Sequence, residues 1–247
     1  MALFGKNAGT SASDEALAYR RDLVENMVFE LIPLKSVDAG IEALPANSLV
    51  SVTASPVKGL DATMELTDQI RDKGHRPVPH IAARLVEGPE HVAKIAKWMK
   101  TEGYETLFCV AGDAEEPAGP YEGAHAFLTD LFAQDHGLTK VGITSYPDGH
   151  ALISSEICHE QLHAKQALLK EAGVEGWAST QMCFDTDLIT SWLTQEKLMA
   201  PGSYDPNDIL DPMIDDLANL NISGLHVFTF NQVEATEQWR QAVTTNA

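Results

Sequence analysis

Positive charge is scarce in this chain: 17 Lys plus Arg stand against 36 Asp plus Glu, a formal net charge of −19. A field of that sign repels phosphate backbones and anionic bilayers, so neither nucleic acid nor a membrane surface is the expected partner. Long apolar runs are also missing. None approaches the ~20 residues that span a bilayer, and the opening "MALFGKNAGTSASDEALAYR" lacks the apolar stretch of a signal peptide, so a cytoplasmic location is expected. Cysteine is sparse too. Cys109, Cys158 and Cys183 are odd in number and far apart, which points to buried free thiols instead of disulfides or a zinc cluster. Finally, no G-x-G-x-x-G fingerprint follows an early strand.

What is present is enough for one large core: 247 residues, 44% of them hydrophobic. The Gly-, Ala- and Ser-rich residues 1–15 read as a flexible arm and 16–247 as a single domain. Seven short apolar runs read as strands: "MVFELIP" (27–33), "LVSVTAS" (49–55), "RPVPHIA" (76–82), "TLFCVAG" (106–112), "KVGITSYP" (140–147), "GWASTQMCF" (176–184) and "GLHVFTFN" (224–231). Helical periodicity fills 61–74, 89–103, 124–137 and 159–173, each closed by a glycine. Strand–helix repeats of this size imply a parallel sheet, either open and doubly wound or closed into a (β/α)8 TIM barrel. Polar residues stand at the C-terminal ends of the strands, namely Glu30, Thr53, His80, Asp113, Tyr146, Gln181 and Asn231. Barrel enzymes build their sites on that rim, so the barrel is the expected fold. Its seventh strand is not evident, because 185–223 offers helical segments only. That leaves either a shortened barrel or a segment missing near 197–203.

Several residues carry chemistry by type and place. Glu30 is an acid inside an apolar strand, where burial favours a general acid near neutral pH; a strand-end carboxylate satisfied by arginine is the competing reading. Asp113 opens the loop "AEEPAGP", either facing a cationic ligand group or serving as a turn residue. His80 and His150 fall at or just past strand ends, where a structural hydrogen bond is the commoner role of a histidine. "HEQLH" (159–163) meets the H-E-x-x-H zinc pattern, with His159 and His163 on one helix face and Glu160 as a possible base. A third ligand is not evident, and a solvated helix face is the simpler reading. The acidic run "DPNDILDPMIDDL" (205–217) lacks the glycine and alternation of a calcium loop, so helix capping explains it better.

Taken in order, "VFELIPLKS", "VSVTAS", "PHIAARL", "VAGD", "ITSYPDGH", "STQMCFD" and "GLHVFTFNQ" resemble the strand motifs of the methylenetetrahydrofolate reductase family over most of 27–240. The resemblance implies reduction of 5,10-methylenetetrahydrofolate to 5-methyltetrahydrofolate in one-carbon metabolism, with NADH or NADPH as hydride donor. It implies Glu30 as the catalytic acid, Asp113 and Gln181 at the folate, and Thr53, His80, Tyr146 and His150 around the cofactor. The chain departs from the family where FMN phosphate would be held. Ala111 replaces an arginine, and Leu162, Leu168 and Leu169 fall at polar or basic positions, with only Lys165 nearby. Losing those charge-assisted bonds makes FMN doubtful and favours similarity to the flavin-independent branch of the family. The alternatives are an FMN-dependent reductase, a folate-binding relative without redox activity, and a zinc hydrolase using His159, Glu160 and His163. The sequence does not fix an oligomeric state.

Overall fold

Alternate residues of each apolar run pack against helices, and that period of two makes the runs strands. The computed structural model describes residues 14–183, 185–195, 222 and 224–245. In chain order its elements are α1 (Asp14–Glu25), β1 (Val28–Leu31), α2 (Val37–Glu42), β2 (Leu49–Val52), α3 (Gly59–Asp72), β3 (Arg76–Ala82), a 3₁₀ turn (Ala83–Leu85), α4 (Pro89–Glu102) and β4 (Thr106–Val110). There follow α5 (Ala124–Phe132), β5 (Lys140–Ser145), α6 (Ser155–Ala172), β6 (Glu175–Thr180), α7 (Thr186–Gln195), β7 (His226–Val227) and a C-terminal helix α8 (Val233–Thr245). All seven expected strands form, and β3 has the expected bounds. The others are shorter than their apolar runs. No described helix is long and apolar enough to cross a membrane.

The strands make one parallel sheet in the order β6-β5-β4-β3-β2-β1-β7. From β1 to β6 each crossover advances one place in the same direction. With right-handed connections, the helices then fall on one face of the sheet. Phe29, Leu31, Val50 and Val52 meet Ile41, Leu66 and Ile70 in one core cluster. Ile81, Leu107, Cys109, Val141 and Ile143 meet Val92, Ile95, Met99, Phe127 and Leu131 in another. The opposite face carries the alternate residues. The first half of β3 pairs with β2 (Arg76 to Pro79) and its second half with β4 (His80 to Ala82), a stagger that curls the sheet.

The expected closed (β/α)8 barrel is not what the described residues form. Closure requires a strand joining β6 to β7, whereas those two strands end the sheet on opposite sides, giving an open, curled half-barrel. Helix α7 is the one element described between them. The intervals 197–203 and 205–217 lie outside the described residues, as do residues 1–13 of the expected arm.

None of the three cysteines forms a disulfide; Cys109 and Cys183 are buried and Cys158 partly so.

Candidate functional site

Glu30 stands one residue before the end of β1. Its neighbours Phe29 and Leu31 enter the helix-side core, so the pleat turns Glu30 to the concave face, where it is only 4% exposed. Strand β7 joins β1 with His226 opposite Val28, two residues earlier on the same face. From there the His226 imidazole reaches diagonally, placing Nε2 3.0 Å from Glu30 Oε2. On the other side Ser51 lies opposite Glu30 in the β1–β2 register, and its hydroxyl shares a hydrogen bond with Nε2 of buried His80. One ligating atom each from Glu30, His80 and His226 lies within 4.8 Å of the others.

Aromatic rings continue this face. His80 tilts against Phe108 at 4.7 Å between centroids, Phe108 faces Trp177 at 6.1 Å, and His226 stacks on Phe228 at 5.0 Å. Gly142 makes room for the Phe108 and Trp177 rings. A Cβ there would lie 2.3 Å from both Phe108 Cδ2 and Trp177 Cζ2, so any side chain on β5 at that point would expel them. Burial, with the charge of His226 as the lesser cause, holds the His80 imidazole well below the usual histidine range. His80 is therefore neutral at pH 7, beside a carboxyl and a second imidazole.

The remaining sequence-derived residues occupy the rim above this cluster. Thr53 lies two residues past Ser51. Its backbone N–H donates to Leu31 O at 2.9 Å, while its buried Oγ1 has no hydrogen-bond partner. Tyr146 and His150 meet edge to face at 5.1 Å. Burial is the main cause of a raised Tyr146 pKa, and the carboxylate of Asp113 contributes to it. Asp113 itself is exposed, as is Gln181, whose Oε1 accepts from the Met182 N–H at 2.8 Å. Among the described residues no hydrogen bond joins Asp113 or Gln181 to Glu30. The structure thus gathers Glu30 and His80, pairs Tyr146 with His150, and leaves Gln181 apart.

Reasoning from sequence missed four contributors. Ser51 and His226 complete the cluster, and His226 was hidden because only the pairing of β7 with β1 brings it near Glu30. Arg84, in the turn after β3, holds the loop that begins at Asp113. Its guanidinium donates to Ala114 O at 2.8 Å and Glu115 O at 2.9 Å and pairs with Glu122 at 2.5 Å, while its backbone N–H donates to Ala111 O at 2.9 Å. Asn231 was seen only as a strand-end residue. It brackets Ile32, accepting from its N–H at 2.9 Å and donating to its carbonyl at 3.0 Å, and so ties the chain after β7 to the chain after β1.

Two other groups lie elsewhere. His159 and His163 sit exposed on α6 with rings 4.5 Å apart. Glu160 does not converge with them: the group of three ligating side chains found among the described residues is Glu30, His80 and His226. Lys165, buried on the inner side of α6, donates to Thr144 O and Oγ1 at 3.4 Å, and burial lowers its pKa.

No family model matches the chain. Solved structures similar to it include a short-chain dehydrogenase from Oenococcus oeni PSU-1, at 16% identity over 85% of this chain and 97% of that one, with a TM-score of 0.34. Another is an alcohol dehydrogenase from the archaeon Thermococcus sibiricus complexed with 5-hydroxy-NADP, at 14% identity over 82% and 95% of the two chains, with a TM-score of 0.28. Likenesses this loose assign no activity to the chain. The family reading is corrected by the fold. The motif resemblance to methylenetetrahydrofolate reductases is supported by no family model, and the closed barrel it implied is not what the described residues form. Folate reduction falls with it, and the contrast between Ala111 and a flavin-binding arginine no longer bears on the cofactor.

Proposed function

We propose that this protein is an oxidoreductase that uses NADH or NADPH to reduce a polar double bond, C=O or C=N, with Glu30 as the proton donor. The observation that carries the reading is a carboxyl group held on the open face of a parallel sheet, 4% exposed and 3.0 Å from an imidazole, beside a wall of aromatic rings. Such a group can protonate the heteroatom of an acceptor while water is kept away. The nicotinamide cofactor supplies a hydride when bound. The residues suited to hold it are His80, Tyr146 and His150, whose rings offer flat faces, and Thr53, whose buried Oγ1 has no protein partner and can bond a carboxamide. Asp113, at the rim near Tyr146, and Gln181, exposed past β6, are assigned to the acceptor side. His226 orients the Glu30 carboxyl and can return a proton to it after each turnover. Acceptor plus hydride plus the Glu30 proton gives the reduced product, and solvent reprotonates the pair.

Titration with NADH and NADPH, followed by energy transfer from tryptophan to the dihydronicotinamide, tests the first half of this reading. Saturable binding of one of them in the micromolar range supports it, and binding of neither overturns it. Glu30→Gln is expected to leave that binding within about twofold while lowering turnover with a carbonyl or imine acceptor by ~100-fold or more, the usual scale of a lost general acid. Unchanged turnover would remove Glu30 from the role.

A further inference from the structure

We infer that Glu30, His80 and His226 form a binding site for a single divalent transition-metal ion of the zinc class. Three strands contribute one ligand each, β1, β3 and β7, so the site belongs to the folded sheet and not to a local segment. The donor set is two imidazole nitrogens and one carboxylate oxygen, all within 4.8 Å of one another. A tetrahedral zinc ion with bonds of about 2.1 Å holds its ligand atoms ~3.4 Å apart. The Glu30–His226 pair, at 3.0 Å, lies close to that spacing, and a His80 ring nitrogen lies within 4.8 Å of both. Mixed nitrogen and oxygen ligation favours Zn²⁺, Co²⁺ or Fe²⁺ over Mg²⁺ and Ca²⁺, which prefer oxygen donors alone.

Two further contacts tie the strands that carry the ligands: the Ser51 hydroxyl bonds His80 Nε2, leaving Nδ1 as the ring nitrogen without that bond, and Thr229 Oγ1 donates to the backbone carbonyl of Glu30. A strongly acidic molecule, at −19, concentrates cations near its surface. With three protein ligands the ion keeps a fourth position open. Metal binding stands apart from the reading of Glu30 as an acid. Where both hold, the bound ion withdraws the carboxylate from proton transfer and inhibits the enzyme.

The test is equilibrium competition for Zn²⁺ against a chromophoric chelator, on nucleotide-free protein, with Co²⁺ visible absorption as a second readout. It must separate this site from the exposed pair His159 and His163. One equivalent bound by wild type and by His159→Ala/His163→Ala, weakened at least tenfold in both Glu30→Gln and His226→Gln, is the expected result. Binding that vanishes in the His159/His163 variant and ignores Glu30 overturns the inference, and so does the absence of binding to wild type. His226 lies on a two-residue strand at the end of the sheet, so its variant gives a reading even if Glu30→Gln folds poorly. Because no nucleotide or acceptor is present, failure here and failure of the oxidoreductase reading are told apart.

Discussion

Two residues of the site, one on the rim and one in the cluster, make opposite statements about stability. Thr53 carries a buried hydroxyl with no partner, a group that costs free energy to bury and gains nothing back in the free protein. Thr53→Val is therefore expected to leave the melting temperature unchanged or raise it, while weakening nicotinamide nucleotide binding several-fold; a melt and a fluorescence titration check both. His80 acts the other way. Its folded pKa lies well below that of a free histidine, from burial first and His226 second, so the unfolded chain binds a proton that the folded one refuses. The sign follows. The contribution of His80 is complete above the unfolded pKa of about 6.5 and is lost as pH falls from there toward the depressed folded value. His75 and His136 are lowered by burial as well and add to the same slope. Urea midpoints measured between pH 8 and pH 5 should fall, and His80→Gln should flatten that fall. An identical slope in the variant would show that the imidazole is not held neutral. Cys109 makes a smaller check. Burial pushes its thiol up to about 12, so native protein at pH 8 should resist alkylation there while half-buried Cys158 reacts first.

At the scale of elements, the loops after β1, β4 and β7 are fixed by single residues, and their loss is measurable. Asn231 has φ 62°, a left-handed conformation that asparagine tolerates better than most residues, and it satisfies both backbone groups of Ile32. Asn231→Ala keeps the strained backbone and strands the Ile32 N–H, while the Ile32 carbonyl still accepts from the Leu34 N–H at 2.7 Å, a loss of roughly 1–3 kcal/mol by the cost of one unsatisfied polar group. Chemical denaturation reads it directly. Gly112, with φ +93°, is a second such point: a Cβ there would lie 2.8 Å from Ala82 Cβ, so Gly112→Ala must move the start of the Asp113 loop away from β3. How much of this the sequence showed depends on the range of each interaction. Strand positions were legible because a run such as "RPVPHIA" states its own period, and the αL glycines after α4 and α6 were legible because Gly103 and Gly173 close helical patterns. Glu30 and His80 were legible as polar residues inside apolar strands. His226 and Asn231 were not, because their roles arise from β7 pairing with β1, nearly the whole chain away. Arg84 was missed for a related reason: its partners are backbone carbonyls, which a sequence does not display. Closure of the sheet was misjudged because strand count and rim polarity fit a barrel and a half-barrel equally well.

The whole molecule carries one property that no element does, its excess of negative charge. Surface ion pairs such as Arg71–Glu102, Lys94–Asp61, Lys100–Asp135 and Lys140–Glu175 use the few cations available. Even if all 17 were paired, 36 − 17 = 19 acids would remain to repel one another. Salt acts on both terms. Each exposed pair contributes about 0–1 kcal/mol and loses part of that on screening, whereas the unpaired acids repel across the molecule at distances beyond the Debye length of about 10 Å at 0.1 M. Repulsion among 19 unbalanced charges is the larger sum, so added salt should stabilise the fold. Raising NaCl from near zero to about 0.2 M should therefore raise the melting temperature. Each kcal/mol gained corresponds to roughly 2–4 °C for a chain of this size. The effect should level off once the screening length falls below the spacing of neighbouring acids, and KCl should give the same curve, which separates screening from specific ion binding. A melting temperature that falls over this range would mean that the few ion pairs outweigh the repulsion, and that the acidic surface is arranged so that its charges scarcely interact.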